Sequence, residues 1–127
     1  MATQDDVRRI ALSLPATTED PNRVRFFVAG KQFVWAWLER VEPKRARVPS
    51  KDAIAVRVAD EMDKQVLLEM DPNVFFTEPH YDGYAAILVR LPPIDVDLLR
   101  DVLTAGWRCR APRLLIGRLD VDAERNA

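Results

Sequence analysis

Residues 23–41 read "RVRFFVAGKQFVWAWLERV", and the fold turns on them. Two apolar, β-rich runs flank Gly30-Lys31. A glycine opening a two-residue connection accepts positive φ without steric cost, so the pair predicts a hairpin with a type II′ turn. Side chains on the second run alternate, which sets Phe33, Trp35 and Trp37 on one face and Val34, Ala36 and Leu38 on the other.

On the N-terminal side, Val7, Ile10, Ala11 and Leu14 recur at helical spacing behind Thr3, a capping residue, with Asp5 and Asp6 at the positive end of the helix dipole. Pro15 closes this helix. On the C-terminal side, "RVEPKRARVPSK" (40–51) contains Pro43 and Pro49, which discourage regular pairing, and reads as a long loop or an extended hairpin tip. "AIAVRV" (53–58) alternates as a half-buried strand. From Asp60 to Asp71 the period becomes helical, with Met62, Val66 and Met70 four apart, and Pro72-Asn73 ends it. "VFFTE" (74–78) and "YAAILVRL" (84–91) are two further strands. After Pro92-Pro93 a helix carries Leu98, Leu99, Val102 and Leu103, with Asp95 as its cap and Gly106 as its expected end. Pro112 fits the first turn of a last helix. The expectation is one α+β domain over residues 1–120, an antiparallel sheet of about five strands packed against helices, followed by a polar, frayed tail at 121–127.

The 127 residues, 48% apolar and 31% charged, suffice for a hydrophobic core without disulfides or metals. The single cysteine, Cys109, forms no intramolecular disulfide, and its neighbours Arg108 and Arg110 favour the thiolate only if the site is exposed. The N-terminal stretch has two aspartates and no apolar run of signal-peptide length, and no run reaches the roughly 20 apolar residues that span a bilayer. A cytoplasmic, monomeric protein away from membranes is expected.

The net charge of −1 is unevenly distributed. Residues 40–51 carry a local balance of +4 and residues 108–118 another +4, leaving −9 for the remainder. Such asymmetry makes positive surface on a nearly neutral chain.

Candidate chemistry is sparse. "FFTEPHYDGY" (75–84) holds the only histidine, His80, between Glu78 and Asp82. Three ligands within five residues of one loop rarely surround an ion, and zinc sites draw on separated elements, so no metal is expected there. Glu78-Pro79 and Asp82-Gly83 read instead as a turn between strands. The four glycines never cluster, which removes phosphate-loop and dinucleotide signatures, and no serine sits in a nucleophile-elbow context. No cofactor and no enzymatic activity are expected. Trp35 and Trp37 read as core or as a stacking platform beside a basic loop.

Taken in order, "VRRIALSLPATTED", "FFVAGKQFVW", "FFTEPHYDGYAAILVRLPPID" and "LLRDVLTAGWRCRAPRLLIGRL" resemble the MmcQ/YjbR family of small bacterial proteins, over nearly all of Gln4 to Leu119. The resemblance implies a CyaY-like fold and a DNA-binding role built on two wings, with no established enzyme activity. Carried over by position, one wing is Ala29-Gly30-Lys31-Gln32 and the other lies within Arg40 to Lys51. Relatives carry a lysine-rich segment where this chain has "EPHYDGYAA" (78–86), so any phosphate contact there is weaker here.

Two functions follow as expectations. The first is a non-enzymatic protein holding duplex DNA by its phosphates through Lys31, Arg40, Lys44, Arg45, Arg47 and Lys51. The alternative is a small-molecule or protein-binding module whose site gathers Trp35, Trp37, His80, Tyr81 and Tyr84.

Overall fold

The computed structural model describes residues 2–39, 43 and 45–125, with side chains as far as Val121. Arg40 and Lys44 therefore lie outside the described residues. The order of elements is α1 (Gln4–Ser13), β1 (Thr17–Glu19), β2 (Arg25–Val28), β3 (Lys31–Glu39), β4 (Val48–Arg57), α2 (Glu61–Met70), β5 (Phe75–Phe76), a single 3-10 turn (Pro79–Tyr81), β6 (Ala86–Arg90), α3 (Val96–Arg110) and α4 (Arg113–Arg125). The strands form one antiparallel sheet in the order β1-β2-β3-β4-β6-β5. This is the expected α+β sheet with one strand more than five. Among the described residues, no helix is long and apolar enough to cross a membrane.

The helix boundaries follow from local chemistry. Thr3 and Asp6 exchange a reciprocal capping box, Asp60 and Asp95 accept from the first turns of α2 and α3, and the backbone of Leu14, just before Pro15, closes α1. These caps satisfy amides that the helix itself leaves orphaned.

The β2–β3 hairpin differs in detail from the expected turn. Val28 pairs with Lys31, so the two loop residues are Ala29 and Gly30, both at positive φ (51° and 75°). That is the pattern of a type I′ turn, with Lys31 already in the strand. A bulge follows, because Phe26 pairs with Val34 while Phe27 pairs with Gln32. Phe33 is the extra residue, and it breaks the alternation. Phe33 and Val34 are both fully buried in the core, so Phe33 does not share the face of Trp35.

Beyond the bulge the register defines two faces. Phe26, Val34, Val56 and Ile87 line one, joined by Ile54, Val89 and Phe75. Helix α3 packs across β3 and β4 on this side, α1 packs against α3 and β1, and all contribute to a single core. Arg25, Trp35, Ala55, Leu88 and Phe76 form the matching row on the other face.

Three further sequence readings change. Gly106 does not end α3, which runs to Arg110; the glycine sits where a Cβ would lie 2.8 Å from Val56 Cγ1 and 3.1 Å from the Arg57 carbonyl oxygen. Its missing side chain lets the helix rest directly on β4. Met62, Val66 and Met70 are the exposed face of α2, whereas Lys64, Leu67 and Leu68 face inward. Strand β4 begins at Val48, so Pro49 and Lys51 belong to the ladder; Pro49 pairs with Leu38 beside a register irregularity between Ala36 and Leu38, where a missing N–H is tolerated.

Candidate ligand cleft

The outer face of the sheet carries small residues at its centre, Ala53, Ala55 and Ala86, all buried. Aromatic side chains from neighbouring elements cover them in two groups. Trp37 meets Phe76 edge to face at 5.2 Å, and the Arg90 guanidinium lies 4.1 Å from the Phe76 ring centroid. Trp35 meets Tyr84 edge to face at 6.3 Å, Tyr84 meets Tyr81 at 6.0 Å, and Arg57 lies 5.1 Å from the Tyr84 centroid. Edge-to-face pairs and cations over rings are attractive beyond simple area burial.

Beside the second group opens a cleft of about 840 Å³. Its walls come from the lead-in to β2 (Asn22, Arg23, Val24, Arg25), from β3 (Gln32, Trp35, Ala36, Leu38), from Arg47 and Pro49, and from Glu78, His80, Tyr81 and Tyr84. That size lies within the usual range for small-molecule sites, roughly 300–1,000 Å³.

Hydrogen bonds fix the walls. The Trp35 indole Nε1–H donates to Tyr81 Oη at 3.2 Å. Arg47 donates to the Leu38 carbonyl at 3.1 Å and reaches Glu78 Oε1 at 3.4 Å, tying the β3–β4 connection to the start of the His80 segment. Arg25 is engaged by Asp20, whose carboxyl is held below the usual range by the Arg25 side chain and the Asn22 backbone amide. Lys64, on α2 and only 1% exposed, donates from Nζ to the carbonyl oxygens of Tyr81 (2.5 Å) and Tyr84 (3.1 Å). The loop that presents His80 is thus pinned from behind by a buried cation.

Of the aromatic site residues expected from sequence, Trp35, His80, Tyr81 and Tyr84 come together here and Trp37 does not; Trp37 packs on Phe76 instead, with its buried Nε1 lacking a partner among the described residues. His80 is exposed on the cleft rim, within the 3-10 turn. No group of three or more His, Cys, Asp or Glu side chains among the described residues is placed to hold a metal ion.

Of the expected wing cations, Lys31 is exposed at the hairpin tip, Arg45 is exposed, and Lys51 is exposed on β4, while Arg47 turns to the cleft. Arg40 and Lys44 are outside the described residues. The second basic segment is elsewhere. Arg108 and Arg110 follow Gly106, which rests on Val56 and Arg57 at the opposite end of β4 from Val48. At about 3.3 Å per strand residue, the nine steps amount to roughly 30 Å. Arg108 is moreover paired with Asp120.

Sequence reasoning missed Lys64, Arg23 and Arg25. Lys64 was detectable as the first member of a second stripe, Lys64-Leu67-Leu68, at helical spacing. Cys109 borders a separate apolar groove of about 460 Å³ with Val58, Val66 and Leu67. The residue is exposed at the surface, yet partial burial of the thiol pushes its pKa up and the Asp63 carboxylate adds to that, outweighing Arg57 and Arg110, so the cations flanking it in sequence do not favour a thiolate.

Comparisons with known proteins agree on kinship. The YjbR family model matches residues 12–109. Among curated proteins, an uncharacterized protein of Mycobacterium tuberculosis (strain H37Rv) and one of Mycobacterium bovis are each 42% identical over 123 residues, covering 91% of this chain and 94% of theirs. No solved structure matches.

Proposed function

Given that this chain belongs to the YjbR family, we propose that it is a non-catalytic binding protein whose ligand site is the aromatic cleft beside His80. The observation that carries this reading is the cleft itself: about 840 Å³, walled by Trp35, Tyr81 and Tyr84, with arginine at its rim. A concave, largely aromatic wall with a few fixed polar groups is the ordinary make-up of a small-molecule site. A filled core at Trp35 would have argued the other way.

The reading is tested by a fragment screen on isotope-labelled protein. Hits are expected to shift the Trp35 indole N–H and the amides of residues 79–84 together, with Trp107 unmoved. Hits scattered elsewhere, or none at Trp35, overturn it.

Phosphate contact with duplex DNA through residues 40–51 is the second reading, favoured by the exposure of Arg45 on the β3–β4 connection and Lys51 on β4, with Lys31 exposed at the other end of β3. Arg47 contributes less, because its guanidinium is already engaged by Leu38 and Glu78. The triple change Lys31→Ala, Arg45→Ala and Lys51→Ala is expected to flatten the salt dependence of binding by about 0.9 per lost contact, nearly three in all. Fluorescence anisotropy of labelled duplex at several salt concentrations measures this slope. An unchanged slope, or no binding at low salt, removes DNA from the account.

A further inference from the structure

We propose that the cleft selects a flat aromatic ring carrying a single carboxylate, with the ring on Trp35 and the carboxylate at Arg23. The inference rests on the reading of the cleft as a ligand site and names what enters it.

Charge accounting fixes the anion. Three arginines line the cleft, Arg23, Arg25 and Arg47. Arg25 is neutralised by Asp20 and Arg47 faces Glu78. Arg23, exposed at the mouth of the cleft, makes no ion pair with the described residues, so its guanidinium is open to a ligand. A carboxylate brings one negative charge and the bidentate geometry a guanidinium fork prefers. Glu78, on the Arg47 side, repels an anion from that end and so directs it towards Arg23.

The ring follows from Trp35. Its only polar atom is already satisfied by Tyr81, so the indole presents π surface without demanding a hydrogen bond. Tyr84 meets it edge-on at 79°, and no described ring lies parallel to it. A planar ring fits such a surface by offset stacking, whereas a bulky aliphatic group gains less.

Three probes separate these requirements: 2-naphthoate, its neutral amide 2-naphthamide, and cyclohexanecarboxylate, which keeps the charge and lacks the flat ring. Each is titrated calorimetrically into the full chain and into Arg23→Gln and Trp35→Leu, with thermal melts confirming that both variants fold. Loss of a charge-assisted hydrogen bond corresponds to about tenfold or more in affinity, so naphthoate is expected to bind at least that much more tightly than the amide. Arg23→Gln should bring naphthoate down to the amide's affinity and leave the amide unchanged. Trp35→Leu should abolish the advantage of naphthoate over cyclohexanecarboxylate. Equal binding of naphthoate and amide, or of naphthoate to Arg23→Gln and the parent, overturns the proposal. If none of the three binds while neutral fragments still shift Trp35, the ligand class fails and the cleft reading stands; if fragments leave Trp35 unmoved as well, both fall.

Discussion

Trp107→Ala is expected to destabilise the protein by about 3–5 kcal/mol, the range for removing a large aromatic side chain from a core. Trp107 is the largest fully buried side chain among the described residues. Its Nε1–H donates to the Pro15 carbonyl at 3.0 Å, fastening α3 to the end of α1 across 92 residues of sequence. Gly106 makes this placement possible, since the backbone of α3 lies close enough to Val56 for Trp107 to reach the core beneath. Trp107→Phe separates the two contributions. It retains most of the apolar volume and leaves the Pro15 carbonyl without its donor, so about 1–3 kcal/mol is expected. Urea unfolding monitored by circular dichroism measures both. Domains of this kind have only about 5–15 kcal/mol in total, so the alanine variant should sit near the folding threshold. A loss under about 1 kcal/mol for Trp107→Ala would mean that α3 is held chiefly by other contacts.

The parts of this fold that can be read from sequence are those set by neighbours along the chain. Thr3, Asp60 and Asp95 cap helices because a side-chain oxygen three or fewer residues away satisfies an orphan amide. Strand β1 left no such mark. Thr17–Glu19 has no apolar alternation and is a strand only because β2 offers partners from Phe26 to Val28. Pro49 reads as a breaker until the irregularity opposite it, between Ala36 and Leu38, makes room for a residue without an amide hydrogen. Gly106 reads as a helix end until the approach of Val56 supplies another reason for glycine.

The cleft divides in the same way. Trp35, His80, Tyr81 and Tyr84 are recognisable as a set by residue type, and they meet. Trp37 stays on the outer face with Trp35, as the two-residue spacing implies, but packs on Phe76 and does not line the cleft. The arginines that give the cleft its charge were not legible as a group. Arg23 and Arg25 precede or begin β2, Arg47 precedes β4, and only the pairing of both strands with β3 brings them to one opening.

Lys64→Ala should have the second large effect, and a different one. The side chain is buried, and its Nζ donates to two carbonyl oxygens of the loop that forms the cleft wall. Removing a charged donor from such bonds costs about 1.5–3 kcal/mol each where the acceptors remain buried, and the lost stem leaves a void as well. About 3–5 kcal/mol is expected in sum, limited by whatever water reaches the carbonyls. Lys64→Met distinguishes packing from charge. It fills nearly the same volume and avoids desolvating a cation, so its global cost should be smaller, about 1–3 kcal/mol. Yet the loop still loses its anchor. Hydrogen exchange should therefore accelerate in both variants at the Tyr81, Asp82 and Tyr84 amides, which close the 3-10 turn and the turn after it. Amides in the β3–β4 ladder should respond only through global stability. Unaltered protection of the loop in Lys64→Met would show that stem packing, and not the two hydrogen bonds, holds the aromatic wall. Faster exchange confined to the loop would instead make Lys64 the residue that shapes the cleft from behind, because Tyr81 and Tyr84 owe their positions to the backbone it grips.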